Sequence, residues 1–245
     1  MHRFFIPPDQ FDSHRPVVRG QDVKHMVKVL RLKPGDRVEL LDGAGRAATA
    51  RVEHVGKEEI VCLKVEEFEP LGAPPVEVIL IQGIAKGEKM DLIIQKCTEL
   101  GVSGLIPLIC HRSVVRLDDG KIRDRQARWQ RVALEAAKQC RRSDVPVVSP
   151  PQKLPDVLSG MQKGSVAIMP WEGEDSRSFS DVLAVGNPGR IYIIIGPEGG
   201  FEPCEVEEAR RAGVSTVSLG PRILRTETAG LACVTIIMHR LGDLG

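Results

Sequence analysis

The chain has 245 residues, with 34 Lys and Arg against 33 Asp and Glu and 42% hydrophobic content. That supplies one large domain or two modest ones with an ordinary core, and the near-balanced charge gives no global electrostatic footprint for nucleic acid. No apolar run reaches membrane-spanning length and no signal peptide is evident, so the expectation is a cytoplasmic protein with no membrane contact.

Residues 1–68 read as short segments punctuated by turns. Strands are predicted over 37–41 and 47–55, on either side of Asp42-Gly43-Ala44-Gly45, a strong hairpin signal, with another over 59–65. Between them, Val23, Met26, Val27 and Leu30 fall at helical spacing over 21–30. Residues 69–75, Glu-Pro-Leu-Gly-Ala-Pro-Pro, suit an interdomain linker, which divides the chain into domains 1–70 and 71–245.

From Val76 the texture becomes alternating strand and helix, the signature of an α/β sheet. Strands are expected over 76–82, 105–109, 145–148 and 166–170, and helices over 88–100, 124–140 and 151–164. The stretch 111–142 carries ten Lys or Arg against four Asp or Glu, a local basic excess able to track phosphates. The six cysteines are scattered without CxxC and read as reduced; the six histidines lack ligand spacing, so no metal is expected.

The C-terminal stretch organises the rest. Residues 191–195, Ile-Tyr-Ile-Ile-Ile, are uniformly apolar, as in a strand buried on both faces of a parallel sheet. They stop at Gly196-Pro197-Glu198-Gly199-Gly200, after which Pro203 opens a helix that Gly213 closes. A second strand over 214–219 ends in another loop, 220–228, rich in hydrogen-bonding groups: Arg222, Arg225, Thr226, Glu227 and Thr228. An apolar helix follows over 229–240. Two loops at the C-terminal ends of two parallel strands mark the edge where open sheets bind ligands.

The blocks IIIGPEGGFEPCEVEEA and LGPRILRTETAG, with MHRFFIP, HMVKVLRLKPGD and KGEKMDLIIQKCTELG upstream, resemble the RsmE family of the SPOUT superfamily. The resemblance spans nearly the whole chain. It implies an α/β fold with a C-terminal knotted (deep trefoil) parallel-sheet methyltransferase domain and an N-terminal PUA-like β-barrel that helps hold RNA. The implied activity is S-adenosylmethionine-dependent methylation of N3 of a uridine in 16S ribosomal RNA, by a homodimer. The alternatives are a 2′-O-methyltransferase on the same fold and a noncatalytic RNA-binding assembly factor; with neither GxxxxGK[ST] nor GxGxxG present, a nucleotide hydrolase ranks last.

By the same resemblance the cofactor pocket comprises Met169, Pro170, Ile195, Gly196, Pro197, Gly199, Gly200, Leu219, Gly220, Ile223, Leu224 and Arg225. N3 carries a proton that must leave; a positioned carboxylate can accept it, and a cation can stabilise the charge spreading onto the uracil carbonyls. Glu227 is the first candidate base and Glu198 the second, with Arg225 as the cation. RNA contacts are assigned to Arg3, Lys28, Arg31, Lys86, Lys89, Arg112 and Arg142. Asp144 departs from the family pattern, which often has a basic residue there. Trp171 follows the cofactor strand, which leaves a place near the pocket open beside the first expectation, core packing.

Overall fold

The computed structural model describes residues 1–70, 74–113, 119–184 and 188–245. Residues 71–73 of the expected linker and 114–118 of the basic stretch lie outside the described residues. The chain forms two compact units, Met1–Ala73 with Ala137–Val145, and Pro74–Ala136 with Pro146–Gly245.

The first unit contains β1 (His2–Phe5), α1 (Pro8–Phe11), β2 (Val17–Arg19), α2 (Gln21–Lys24), β3 (Arg37–Leu41), β4 (Ala47–Val55) and β5 (Glu59–Phe68). They make a curled five-stranded sheet in the order β1-β3-β4-β5-β2. The hairpin is where its sequence puts it: Leu41 pairs with Ala47, and the Asp42 carboxylate accepts the Ala44 and Arg46 N–H groups at 2.8 and 3.0 Å. Irregularities in β4 at Thr49/Ala50 and Val52/His54 bend the sheet around Phe4, Phe11, Met26, Leu40, Val52 and Ile60.

The helix expected over 21–30 is α-helical only as far as Lys24. His25–Val29 widens into a π-turn, with the Leu30 N–H on the His25 carbonyl at 3.0 Å, and Arg31 closes it at φ 53°. Met26, Leu30 and Leu32 all reach the core this way, leaving Val27 and Val29 exposed.

Residues 137–145 belong to this first unit although the domain boundary expected from sequence lies near 70. The ties are specific: Lys138 meets Asp22 at 3.0 Å, Arg3 donates to the Arg141 carbonyl at 2.6 Å, and the Val145 N–H binds the Gly43 carbonyl at 3.0 Å. That last bond also shortens the strand expected over 145–148.

The second unit runs β6 (Glu77–Gly83), α3 (Lys89–Glu99), β7 (Gly104–Ile109), α4 (Asp119–Cys140, in this unit as far as Ala136), β8 (Val147–Val148), β9 (Gln152–Lys153), α5 (Leu154–Gly160), β10 (Val166–Pro170), α6 (Phe179–Leu183), β11 (Arg190–Ile195), α7 (Pro203–Arg211), β12 (Ser215–Val217) and α8 (Thr226–Leu241). Its sheet is parallel throughout, ordered β12-β10-β11-β6-β7-β8, with β9 also along β7. One face packs Ile81, Leu108, Met169, Ile194, Phe201 and Val206 under α5 and α7. The other is covered by α3 and α8, which bury Ile93, Ile94, Cys97, Cys233, Val234 and Ile237. Being buried on both sides, β11 has no polar alternation.

All six cysteines are free. Burial pushes the Cys62 thiol up to about 11 and those of Cys97 and Cys110 up to about 12, which leaves them inert packing groups. Among the described residues, no helix is long and apolar enough to cross a membrane, and no three His, Cys, Asp or Glu side chains gather as a metal site.

Candidate active site

The C-terminal ends of β6, β10, β11 and β12 share one edge of the second sheet, and the loops that leave them enclose a cavity of about 840 Å³. Ile195 ends β11 at its floor. The turn that follows closes with the Gly200 N–H on the Pro197 carbonyl at 3.0 Å, Gly200 sitting at φ 68°, a region that favours glycine. Arg112 braces this turn from outside: its guanidinium donates to the Gly199 carbonyl at 3.0 Å and to Glu202 at 2.8 Å, and that bond holds the Glu202 carboxyl below its ordinary range.

Gly83, at the end of β6, lies directly beneath. A Cβ there would stand 2.4 Å from the Pro197 nitrogen and 2.7 Å from the Gly196 carbonyl carbon, so only glycine lets these two chain segments meet.

Thr226 ties α8 into the same place. Its hydroxyl donates to the Gly196 carbonyl at 2.6 Å and accepts from Gln82 Nε2 at 2.8 Å, deep under the cavity. Starting α8 at Thr226, three residues earlier than the apolar pattern predicts, puts Glu227 in its first turn, where the helix dipole favours a carboxylate.

Most of the expected pocket residues come together. Pro170, Ile195, Gly196, Pro197, Gly200, Leu219, Gly220, Ile223, Leu224 and Arg225 all line the cavity, as does Glu198. Met169 does not line it: side chains alternate along β10, so Pro170 faces the cavity and Met169 packs into the core with Ile194 and Val206. Gly199 faces the Arg112 side chain instead. Glu227 stands just behind the wall, its side chain 15% exposed and its Oε2 buried without a hydrogen bond.

The structure also adds wall residues to those expected from sequence. Trp171 lines the cavity while resting on the core, with the Arg210 guanidinium over its ring at 5.2 Å. Phe201, Ser218 and Lys89 line it too. Lys89, taken from sequence as an RNA contact, places its ammonium 3.3 Å from Glu198 Oε1 and 3.3 Å from Glu227 Oε2. Burial opposes ionisation of Glu198, but the Lys86 N–H at 3.0 Å, its own N–H and Lys89 outweigh it and hold the carboxyl below its ordinary range.

The remaining basic residues divide. Lys28, Arg31 and the Lys86 side chain are exposed. Arg3 pairs with Glu39 at 2.6 Å and Arg142 with Asp144 at 2.5 Å, so the unusual Asp144 neutralises the arginine beside it.

The wall containing Trp171 is pinned by Glu174. Its carboxylate accepts from the Ser176 hydroxyl at 2.5 Å, the Thr216 hydroxyl at 2.6 Å and Arg210 at 3.1 Å, and these bonds, led by Ser176, hold its carboxyl down at about 2. A folded-state value below the unfolded one means stabilisation present above about pH 4.3 and lost as pH falls towards 2. Urea unfolding should therefore find Glu174→Gln less stable than the parent at pH 7, with the gap narrowing at pH 3.

Chemically, the cavity offers apolar and aromatic walls, bare glycine backbone and a charged rim of Arg222, Arg225, Lys89 and Glu198. Its size falls in the range of nucleotide-like ligands, and such a mixture of flat apolar surface and edge charge fits a nucleoside with a zwitterionic tail.

Comparison with known proteins agrees with this architecture. An RNA methyltransferase domain model matches residues 73–238 and an RNA methyltransferase PUA domain model matches residues 18–65. Ribosomal RNA small subunit methyltransferase E of Bacillus subtilis is 36% identical, covering 98% of this chain and 97% of its own length. That of Aquifex aeolicus is 31% identical, over 98% and 100%. The crystal structure of the Neisseria gonorrhoeae protein of the same name, bound to S-adenosyl methionine, superimposes with a TM-score of 0.89 at 34% identity over all of both chains. With relatives above 30% identity over nearly their whole length and a family model over most of the chain, this protein belongs to the ribosomal RNA small subunit methyltransferase E family.

Proposed function

We propose that the cavity binds S-adenosylmethionine and that the protein methylates N3 of a uridine in 16S ribosomal RNA. The observation that carries this reading is the juxtaposition of a nucleoside-sized, glycine-floored cavity with a carboxylate, Glu227, whose buried Oε2 meets the Lys89 ammonium at 3.3 Å and has no hydrogen bond. Bound there, the cofactor supplies an electrophilic methyl on a sulfonium and leaves as a neutral thioether. Ile195, Leu219, Leu224 and Trp171 hold the flat base and exclude water, and backbone around Gly196 and Gly220 approaches its edge. Glu227 accepts the N3 proton as the N–C bond forms and later releases it to solvent. Arg225, exposed at the mouth, faces the uracil carbonyls, where negative charge develops.

Glu198 is the weaker candidate for the base. Both carboxylates face Lys89 at 3.3 Å, but the Glu198 Oε1 also accepts the Lys86 N–H, which favours its ionised form and so reduces its basicity.

N3 is hidden in a Watson–Crick pair, so the target uridine lies in a loop, junction or single strand. The first unit, as a PUA-like domain, and the basic stretch before and along α4 grip its phosphates, with the exposed Lys28, Arg31 and Lys86 as contacts. The protein works in the cytoplasm as a homodimer and without a metal.

The test is to incubate the protein with tritiated S-adenosylmethionine and undermethylated small ribosomal subunits, digest the RNA and identify the labelled nucleoside. Label in 3-methyluridine is the expected result. Label in a 2′-O-methyl nucleoside overturns the assignment of the target atom, and absence of label overturns the enzymatic reading on this RNA.

A further inference from the structure

Lys89 is the first residue of α3, an eleven-residue helix. A cation there opposes the helix dipole, whose N-terminal end is positive. Something must offset that cost, and two carboxylates from distant segments do so: Glu198 from the turn after β11 and Glu227 from α8, each 3.3 Å from the ammonium. The Lys89 side chain is 36% exposed and the carboxylates 28% and 15%.

The trio carries one positive and two negative charges, a net of −1. That is the wrong sign for a phosphate contact, which needs uncompensated positive charge. It is the right arrangement for keeping two neighbouring carboxylates ionised. Without a cation between them, their mutual repulsion and partial burial make one retain its proton to a higher pH.

Other charges nearby do not replace Lys89. Lys86 contributes its backbone N–H to Glu198, its side chain being exposed. Glu88, before α3, is exposed, and Asp91, on α3, is occupied by Arg128 of α4. Arg225 and Glu172 line the cavity but form no ion pair with either carboxylate among the described residues.

We infer that Lys89 is a positioning residue for methyl transfer: its ammonium, clamped between Glu198 and Glu227, holds the Glu227 carboxylate in place beside the cavity. This rests on Glu227 as the proton acceptor proposed above. Glu198 is the fixed end of the clamp, locked by the Lys86 N–H, and Glu227 is the working end.

The experiment measures kcat and KM for a 16S RNA fragment between pH 4.5 and 8.5 in the parent, Lys89→Gln and Lys89→Arg, with cofactor affinity titrated separately. In Lys89→Gln the acid limb of kcat should move up by about one pH unit, because two adjacent carboxylates without a cation between them share a proton to higher pH. Its deficit should then reach about tenfold on the acid side and close to about threefold near pH 8, while KM for RNA changes less than about twofold. Lys89→Arg, which keeps the charge, should restore the parental limb.

A raised, salt-sensitive KM for RNA with an unmoved acid limb overturns the inference and makes Lys89 a phosphate contact. An equal loss of kcat at every pH also overturns it, in favour of a merely structural role. Failure of the underlying reading looks different: the parent enzyme would not label 3-methyluridine, or Glu227→Gln would retain the parental rate.

Discussion

Glu227→Gln should lower kcat about 10²–10³-fold, the range expected when a positioned proton acceptor is lost. Gln keeps the size and a hydrogen-bonding oxygen at the start of α8 but cannot take the N3 proton. Because Glu227 stands behind the cavity wall, cofactor affinity should stay within about threefold of the parent, so the whole effect falls on turnover. Glu198→Gln should cost only about tenfold, since it weakens the clamp on Lys89 and leaves the acceptor in place. The check is single-turnover methylation with saturating cofactor and RNA. If both variants turn over within about a factor of three of the parent, carboxylate general-base catalysis is wrong at these positions.

Gly83→Ala should be the most damaging one-methyl change in the second unit. The added carbon would meet backbone atoms of Gly196 and Pro197 at 2.4–2.7 Å, and backbone cannot swing aside as a flexible side chain can. Either β6 or the 196–200 turn must move, at a cost of about 3 kcal/mol, the upper end for overpacking. Since that turn is one wall of the cavity, cofactor binding should weaken at least about 100-fold even in protein that still folds. Gly160→Ala is the matched control: nothing lies within 4 Å of its added carbon at the end of α5, so the denaturant midpoint should hold or rise slightly and cofactor affinity should be unchanged. Isothermal titration and urea unfolding of the two variants decide the matter.

How much of this could be read from the residues alone depended on whether the cause was local. The uniform apolar run of β11, the Pro203 start of α7 and the hairpin at Asp42 are short-range effects, and each lies where sequence puts it. The capping signal Ser178-Phe-Ser-Asp181 was equally local and was overlooked, although both of its reciprocal bonds are made and α6 follows from them. The π-turn at His25 was beyond periodicity, because it depends on which of Met26, Leu30 and Leu32 the first core can accept.

At the site the division is the same. Glycine-bearing loops at strand ends are visible as composition, and the resemblance then supplies most of the cavity wall. Whether Met169 or Pro170 faces the ligand is a matter of strand register, which the motif does not state. Lys89 reads from sequence as an RNA contact, because its carboxylate partners lie more than 100 residues away, on two other elements. The threading of the C-terminal segment through a knot rests on the resemblance alone, since no periodicity encodes it.

The Thr226 hydroxyl joins residues 144 and 30 positions away in the chain, through Gln82 and Gly196. No fragment holding only one or two of these segments can build the cavity floor, however well its own helices and strands form. Loop closure over such separations is slow and comes after local structure. In refolding from denaturant, the helical signal should therefore return before the ability to bind ligand, and cofactor binding becomes a reporter of finished tertiary assembly.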